Sequence, residues 1–201
     1  DTLQSVIGIS GNYPGSLKYY NIGYRQVDLL FDGTPDYKRI KDEASKPDVK
    51  EITIQRSSGY SSRPALSVKI IGNICESIRS VNKSAAIIVD NCYGEFTEVL
   101  EPTDVGADII AGSLIKNPGG GLAPTGGYLV GKSNIIEAAS MRLTTPGIGG
   151  ECGCTLEGSR MYYQGLFMAP HIVAQALKTA VFAARLLELM GYVSHPSFNA
   201  P

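Results

Sequence analysis

The chain has 201 residues, 43% hydrophobic and 18% charged, with a formal net charge of −1. That length buries a sizeable core, and the composition is that of a folded globular chain. The near-neutral balance excludes the basic surface expected of a protein whose partner is nucleic acid or an anionic membrane.

The elements follow in chain order. A short apolar run at 5–9, closed by Gly11, Pro14 and Gly15, predicts a strand and a loop. Residues 24–31 alternate and predict a second strand. Thr34-Pro35 precedes a short helix over 36–44, with Thr34 as cap and Pro35 in its first turn. Residues 49–55 alternate Val and Ile with polar residues, a strand pattern, and the Ser- and Gly-rich stretch 56–63 is a loop. Helical apolar spacing spans 64–81, at Leu66, Val68, Ile71, Ile74 and Ile78.

The runs 85–89, 108–111 and 128–130 are continuous and apolar and predict strands buried on both faces. Residues 134–142 predict a helix. A long helix is expected over 171–190, beginning at His171. Gln175, Lys178, Arg185 and Glu188 interrupt its apolar run, so it reads as a mostly buried helix rather than a membrane span.

Alternating strands and helices predict an α/β domain with a largely parallel sheet flanked by helices in three layers. Ligands collect at the carboxyl ends of such strands. Asp90, Ser113 and Lys116 all fall there. The chain opens without an initiator Met and closes on a Pro-bounded stretch, so the expected organisation is a large domain over 1–191 and a linker over 192–201. No internal repeat is present. The default location is the cytoplasm.

Four cysteines occur, at positions 75, 92, 152 and 154. Their density does not suit a disulfide scaffold, and the spacing of Cys152 and Cys154 is not that of a zinc or thioredoxin-like motif. Asn82 lies in a glycosylation pattern that means little by itself.

Three segments carry the chemistry: IIVDNCYGEF at 87–96, ADIIAGSLIKNPGGG at 107–121 and GGYLVG at 126–131. With APTGGY at 123–128 and YQGLFMAPH at 163–171, they resemble the methionine γ-lyase-like family often labelled aluminium resistance protein. That family lies within the fold type I pyridoxal-5′-phosphate (PLP) enzymes, the aspartate aminotransferase-like superfamily. The resemblance extends over essentially the whole chain.

It implies a PLP-dependent carbon–sulfur lyase acting on an amino acid. Lys116 would carry the cofactor as a Schiff base, and Asp90 would keep the pyridine nitrogen protonated. Ser113 would contact the cofactor phosphate. Ile115 stands where many related lyases have a Thr, so other groups must supply that contact. A lysine serving as proton carrier requires a lowered pKa, as burial and a cationic ring provide.

Arg56 and Tyr60, in the QRSSGY segment at 55–60, are further candidates for contact with cofactor or substrate. The run 119–121 lets backbone pass close to a cofactor or a partner subunit. His171 reads as structural. A homodimer or homotetramer is implied, and neither metal nor nucleic acid. Another PLP reaction, such as transamination or aldol cleavage, stays open.

Two rival motifs fail on physical grounds. GGYLVGKS at 126–133 satisfies the P-loop string, but its centre reads as a strand rather than a phosphate-wrapping loop. GIGGEC at 147–152 has Cys where a dinucleotide fingerprint needs its third Gly.

Overall fold

The structure is a computed structural model that describes residues 2–11, 13–143, 145–151, 153 and 158–200. Strands β1 (Glu51–Gln55), β2 (Ala86–Asp90), β3 (Ile109–Ser113) and β4 (Gly127–Gly131) form one sheet in the order β1-β2-β3-β4. The first three are parallel, and β4 runs antiparallel to β3. The architecture is therefore α/β with a mixed, mostly parallel sheet flanked by helices.

Among the described residues five α-helices accompany it: α1 (Thr2–Ile7), α2 (Tyr37–Ala44), α3 (Val68–Arg79), α4 (Ser133–Leu143) and α5 (Ser159–Leu189). Helix α3 forms because its apolar positions recur at helical spacing and Ser67 caps it, accepting from the Ile70 N–H. Its buried face, Ile71, Ile74, Cys75 and Ile78, packs with Ile54 of β1, Ile87 and Val89 of β2 and Ile110 of β3. Each of those larger aliphatic side chains contributes roughly 1.5–3 kcal/mol of burial.

Parallel register aligns Ile52 with Ile87, Ile54 with Val89 and Val89 with Ile110, so these residues share the face beneath α3. The opposite face carries Ile88, Asp90, Ala111 and Ser113, all half-buried. Strand β2 is thus fully buried on one face and half-buried on the other, whereas β4, at the sheet edge, is mostly exposed rather than buried on both faces.

Several expectations change. Residues 5–9 are not a strand: α1 ends at Ile7, and Gly8, at φ +89°, closes it by donating to the Gln4 carbonyl. A short apolar run does not distinguish the two periods. Residues 24–31 make no strand either, and Tyr24, Leu30 and Phe31 are exposed there. Alternation without a ladder partner does not make a strand. Asp36, not Thr34, caps α2 by accepting from the Arg39 N–H, while the Thr34 hydroxyl donates to Asp32.

Helix α5 begins twelve residues before His171, continues through Pro170, and leaves His171 exposed. By length and composition alone it could cross a membrane, and among the described residues no other helix could. It is not mostly buried: Gly165, Ala169 and Val173 are its buried positions, while Phe167, Phe182 and Leu189 are exposed.

The run 119–121 meets α5. A Cβ on Gly165 would lie 2.2 Å from the Gly119 carbonyl oxygen, and one on Gly120 would lie 2.3 Å from that of Gly165. The glycines therefore serve a close helix contact within this chain. Cys152 and Cys154 lie outside the described residues.

Candidate active site

Asp90 is the last residue of β2, and Ser113 the last of β3. Both project from the half-buried sheet face. After β3 the chain turns tightly: the Lys116 N–H donates to the Ser113 carbonyl, and a 3-10 turn spans Asn117–Gly119. This turn brings Lys116 back toward β2. Its ammonium stands 4.3 Å from the centroid of the Tyr93 ring, with the Cys92 thiol beside it and the Asp90 carboxylate on the far side of that thiol.

Burial pulls the Lys116 pKa down, but Cys92, Tyr93 and Asp90 together outweigh it and hold the amine above its ordinary value. The lowering expected from burial and a cationic ring is opposed by these neighbours, which the sequence alone did not reveal. Burial, then the nearby Asp90 carboxylate, pushes the Cys92 thiol up, with Lys116 working the other way. Asp90 also accepts the Cys92 N–H at 3.1 Å, so its carboxylate fixes the turn that follows β2.

Beneath the site, on the α3 face, lies a buried polar network. Arg56 and Asn91 extend β1 and β2 by one residue each: the Arg56 N–H donates to the Asp90 carbonyl and the Asn91 N–H to that of Ala111. The Arg56 side chain is 4% exposed. Its guanidinium donates to Asn91 at 2.8 Å, Glu98 at 2.7 Å, Thr97 at 3.3 Å and Glu101 at 3.5 Å. Those bonds commit Arg56 to the fold rather than to a ligand on the Asp90 face.

Glu98 also accepts the Val68 N–H at the start of α3, tying that helix to Arg56. Asn91 donates to Glu101 at 2.9 Å. Tyr128 of β4 donates to Glu95 at 2.7 Å. Tyr60 stands fully exposed in the 56–63 loop, away from this network.

Sequence reasoning did not single out Cys92, Tyr93, Glu95, Asn117 or Tyr128. All lie inside the quoted motifs, and the signal was the pair Gly94 and Gly112. A Cβ on Gly94 would lie 2.4 Å from the Arg56 guanidinium, and one on Gly112 would lie 2.3 Å from the Tyr128 ring. Lys132, the P-loop lysine of the rival motif, pairs with Asp108 at 2.6 Å, and Gly127–Gly131 is strand β4. That geometry removes the nucleotide-binding reading. Among the described residues no cluster of His, Cys, Asp and Glu could hold a metal ion.

A family model described as methionine gamma-lyase matches residues 1–201. The chain belongs to the methionine gamma-lyase family. Within reach of that family, it is 52% identical over its whole length to the uncharacterized protein YnbB of Bacillus subtilis, of which it covers 48%.

A crystal structure of a carbon-sulfur lyase involved in aluminium resistance, from Clostridium novyi, is 50% identical with a TM-score of 0.93. The match covers 99% of this chain and 47% of that one. A candidate cystathionine beta-lyase involved in aluminium resistance, from Listeria monocytogenes, is 49% identical with a TM-score of 0.96, covering 100% of this chain and 49% of that one. The chain thus spans about half the length of these relatives. A methionine gamma lyase from Micromonospora echinospora, 22% identical with a TM-score of 0.53, shares the fold.

Proposed function

We propose that the protein is a PLP-dependent lyase that breaks a carbon–sulfur bond in a sulfur-containing amino acid, as methionine γ-lyase or cystathionine β-lyase does. The observation that carries this reading is that the Asp90 carboxylate, at the end of β2, and the Lys116 amine, just beyond β3, flank the same Cys92 thiol. The support for the reaction class is the set of relatives named as carbon–sulfur lyases.

The donor set fits the cofactor. A primary amine, an acid and a hydroxyl gather at one sheet edge, which suits an aldehyde, a pyridine nitrogen and a phosphate respectively. When bound, PLP supplies an aldehyde for the lysine and an electron-withdrawing ring that stabilises charge at the substrate Cα. Asp90, fixed by the Cys92 N–H, would keep a proton on the ring nitrogen. Lys116, once displaced by the substrate amine, would take the Cα proton and return it further along the substrate.

Pairing Asp90 with the ring nitrogen would take away part of what holds the Lys116 amine charged and let its pKa fall. Ser113 would face the phosphate, and Tyr60, exposed on its loop, is left as a contact for groups outside this chain's own packing. A homodimer or homotetramer in the cytoplasm completes the proposal, checked by sedimentation.

The test is a visible spectrum of the protein with PLP, before and after borohydride, beside Lys116→Ala. The expected result is a reducible chromophore, with the trapped adduct mapped to Lys116 and absent from that site in the variant. Keto-acid release from cystathionine or methionine then tests the reaction class. An unmodified Lys116 after reduction would overturn the cofactor assignment.

A further inference from the structure

Glu95 is 4% exposed, and its Oε2 is buried with no hydrogen-bond partner. A turn residue of ordinary function would leave that oxygen in water, because burying an unpaired carboxylate is costly. The other oxygen, Oε1, accepts from Tyr128 at 2.7 Å, and Asn91 reaches the same phenol at 3.4 Å. Strand β3 makes room for this pair: a Cβ on Gly112 would lie 2.4 Å from Glu95 Oε1.

The backbone around Glu95 explains what the anchor holds. Tyr93 and Phe96, on either side, have φ of +69° and +62°. Bulky residues rarely adopt that conformation, and it persists only where the surroundings impose it. The Asn117 side-chain amide donates to the Tyr93 carbonyl at 3.2 Å and to the Glu95 carbonyl at 3.0 Å. Asn117 is bonded to Lys116, and the Lys116 amine rests over the Tyr93 ring. A displacement of Glu95 therefore reaches Lys116 from two sides.

We propose that Glu95 and Tyr128 are a buried positioning pair for Lys116, holding the strained 92–96 turn where the amine can meet the cofactor. This rests on the assignment of Lys116 as the cofactor lysine. The pair works with Glu95 in its neutral form. The groups facing it are Tyr128 from β4, Asn91 at the end of β2, Arg56 after β1, and Glu101 ahead of the 102–105 turn. The single charge of Arg56 is already shared between Glu98 and Glu101. Burial, with Glu101 adding to it and Tyr128 and Arg56 opposing, favours the protonated acid. The anchor is intact at low pH and loosens as pH rises through the folded-state value.

The experiment measures the rate at which PLP becomes borohydride-trapped on Lys116 in wild type, Glu95→Gln, Glu95→Ala and Tyr128→Phe. Carboxyl 13C NMR of Glu95 gives a second readout that needs no cofactor. Glu95→Gln, neutral at every pH, is expected to trap at about the wild-type rate at the acid end of the pH range. Glu95→Ala and Tyr128→Phe should lose about 10- to 100-fold, the effect of misplacing a reacting group by an ångström. The wild-type rate should fall relative to Glu95→Gln as pH is raised, and the NMR signal should titrate above the ordinary glutamate range.

Tyr128→Phe keeps the ring in the core, so its result stands if Glu95→Ala fails to fold. Equal trapping in wild type, Glu95→Ala and Tyr128→Phe overturns the positioning role alone. A Glu95→Gln protein as slow as Glu95→Ala also overturns it. Absence of any adduct on wild-type Lys116 overturns the cofactor assignment and this inference with it.

Discussion

The Lys116 amine and the Tyr93 ring, 4.3 Å apart, join the two turns that leave β2 and β3. The contact forms because Asn117 fixes the Tyr93 carbonyl and the ring then lies beneath its neighbour's side chain. A charged amine over an aromatic face is stabilised, and more so where water is partly excluded.

Tyr93→Leu should therefore lower the Lys116 pKa, since the cation–π contact that favours the charged amine is lost. Tyr93 is 58% exposed, which keeps the effect modest. The pH dependence of PLP trapping at Lys116 measures it. The reactive limb should move to lower pH in the variant, and an unmoved limb would remove Tyr93 from the site's electrostatics.

Arg56→Met should destabilise the fold by roughly 2–4 kcal/mol, somewhat below the usual loss for a broken buried ion pair because Glu98 and Glu101 keep some solvent. Urea unfolding reads this as a lower midpoint with an unchanged slope. Arg56→Lys should recover only part of it, since one ammonium cannot reach Asn91, Thr97, Glu98 and Glu101 together. A full recovery would show that charge alone matters there.

Asp108 gives an acid-side signature. Burial raises its pKa, but Lys132, the Ile87 N–H and Arg79 outweigh it and hold the carboxylate below its usual range. Its folded value lies below its unfolded one. Its contribution is present above the unfolded value, about 3.9, and is lost as pH falls through the folded value. Thermal melts should show Asp108→Asn less stable at pH 7, with the gap to wild type closing as pH falls below about 4. A gap of constant size would indicate packing rather than charge.

Gly165→Ala should cost about 1–3 kcal/mol, as overpacking does, because its Cβ would meet the Gly119 carbonyl at 2.2 Å and neither backbone can yield cheaply. A lower melting temperature, with slower PLP trapping at Lys116 three residues before Gly119, is the expected pair of results. Loss of stability with unchanged trapping would uncouple α5 from the site.

Local sequence determined what depends on local pattern. Helix α3 was legible because its apolar spacing is long and regular, and strands β1 to β4 because their apolar runs are bounded by turn residues and find ladder partners. Asp90, Ser113 and Lys116 were legible as strand-end residues carrying a family motif. The segments at 5–9 and 24–31 were misread because a short apolar or alternating run fits either period until a pairing partner is known. Arg56 showed as a polar loop residue, and one chain position cannot reveal that Asn91, Glu98 and Glu101 converge on it from 35 to 45 residues away.

Tertiary structure alone decided which charges meet. The residue order of β1, β2 and β3 set an alternation, and the register then put Asp90 and Ser113 on one face and Arg56, Asn91 and Tyr128 on the other. The physical reason is that side-chain chemistry is written residue by residue, whereas electrostatics falls off with distance through space. The 3-10 turn after β3 shortens the distance from Lys116 to Tyr93 to a contact, and no spacing along the chain encodes that.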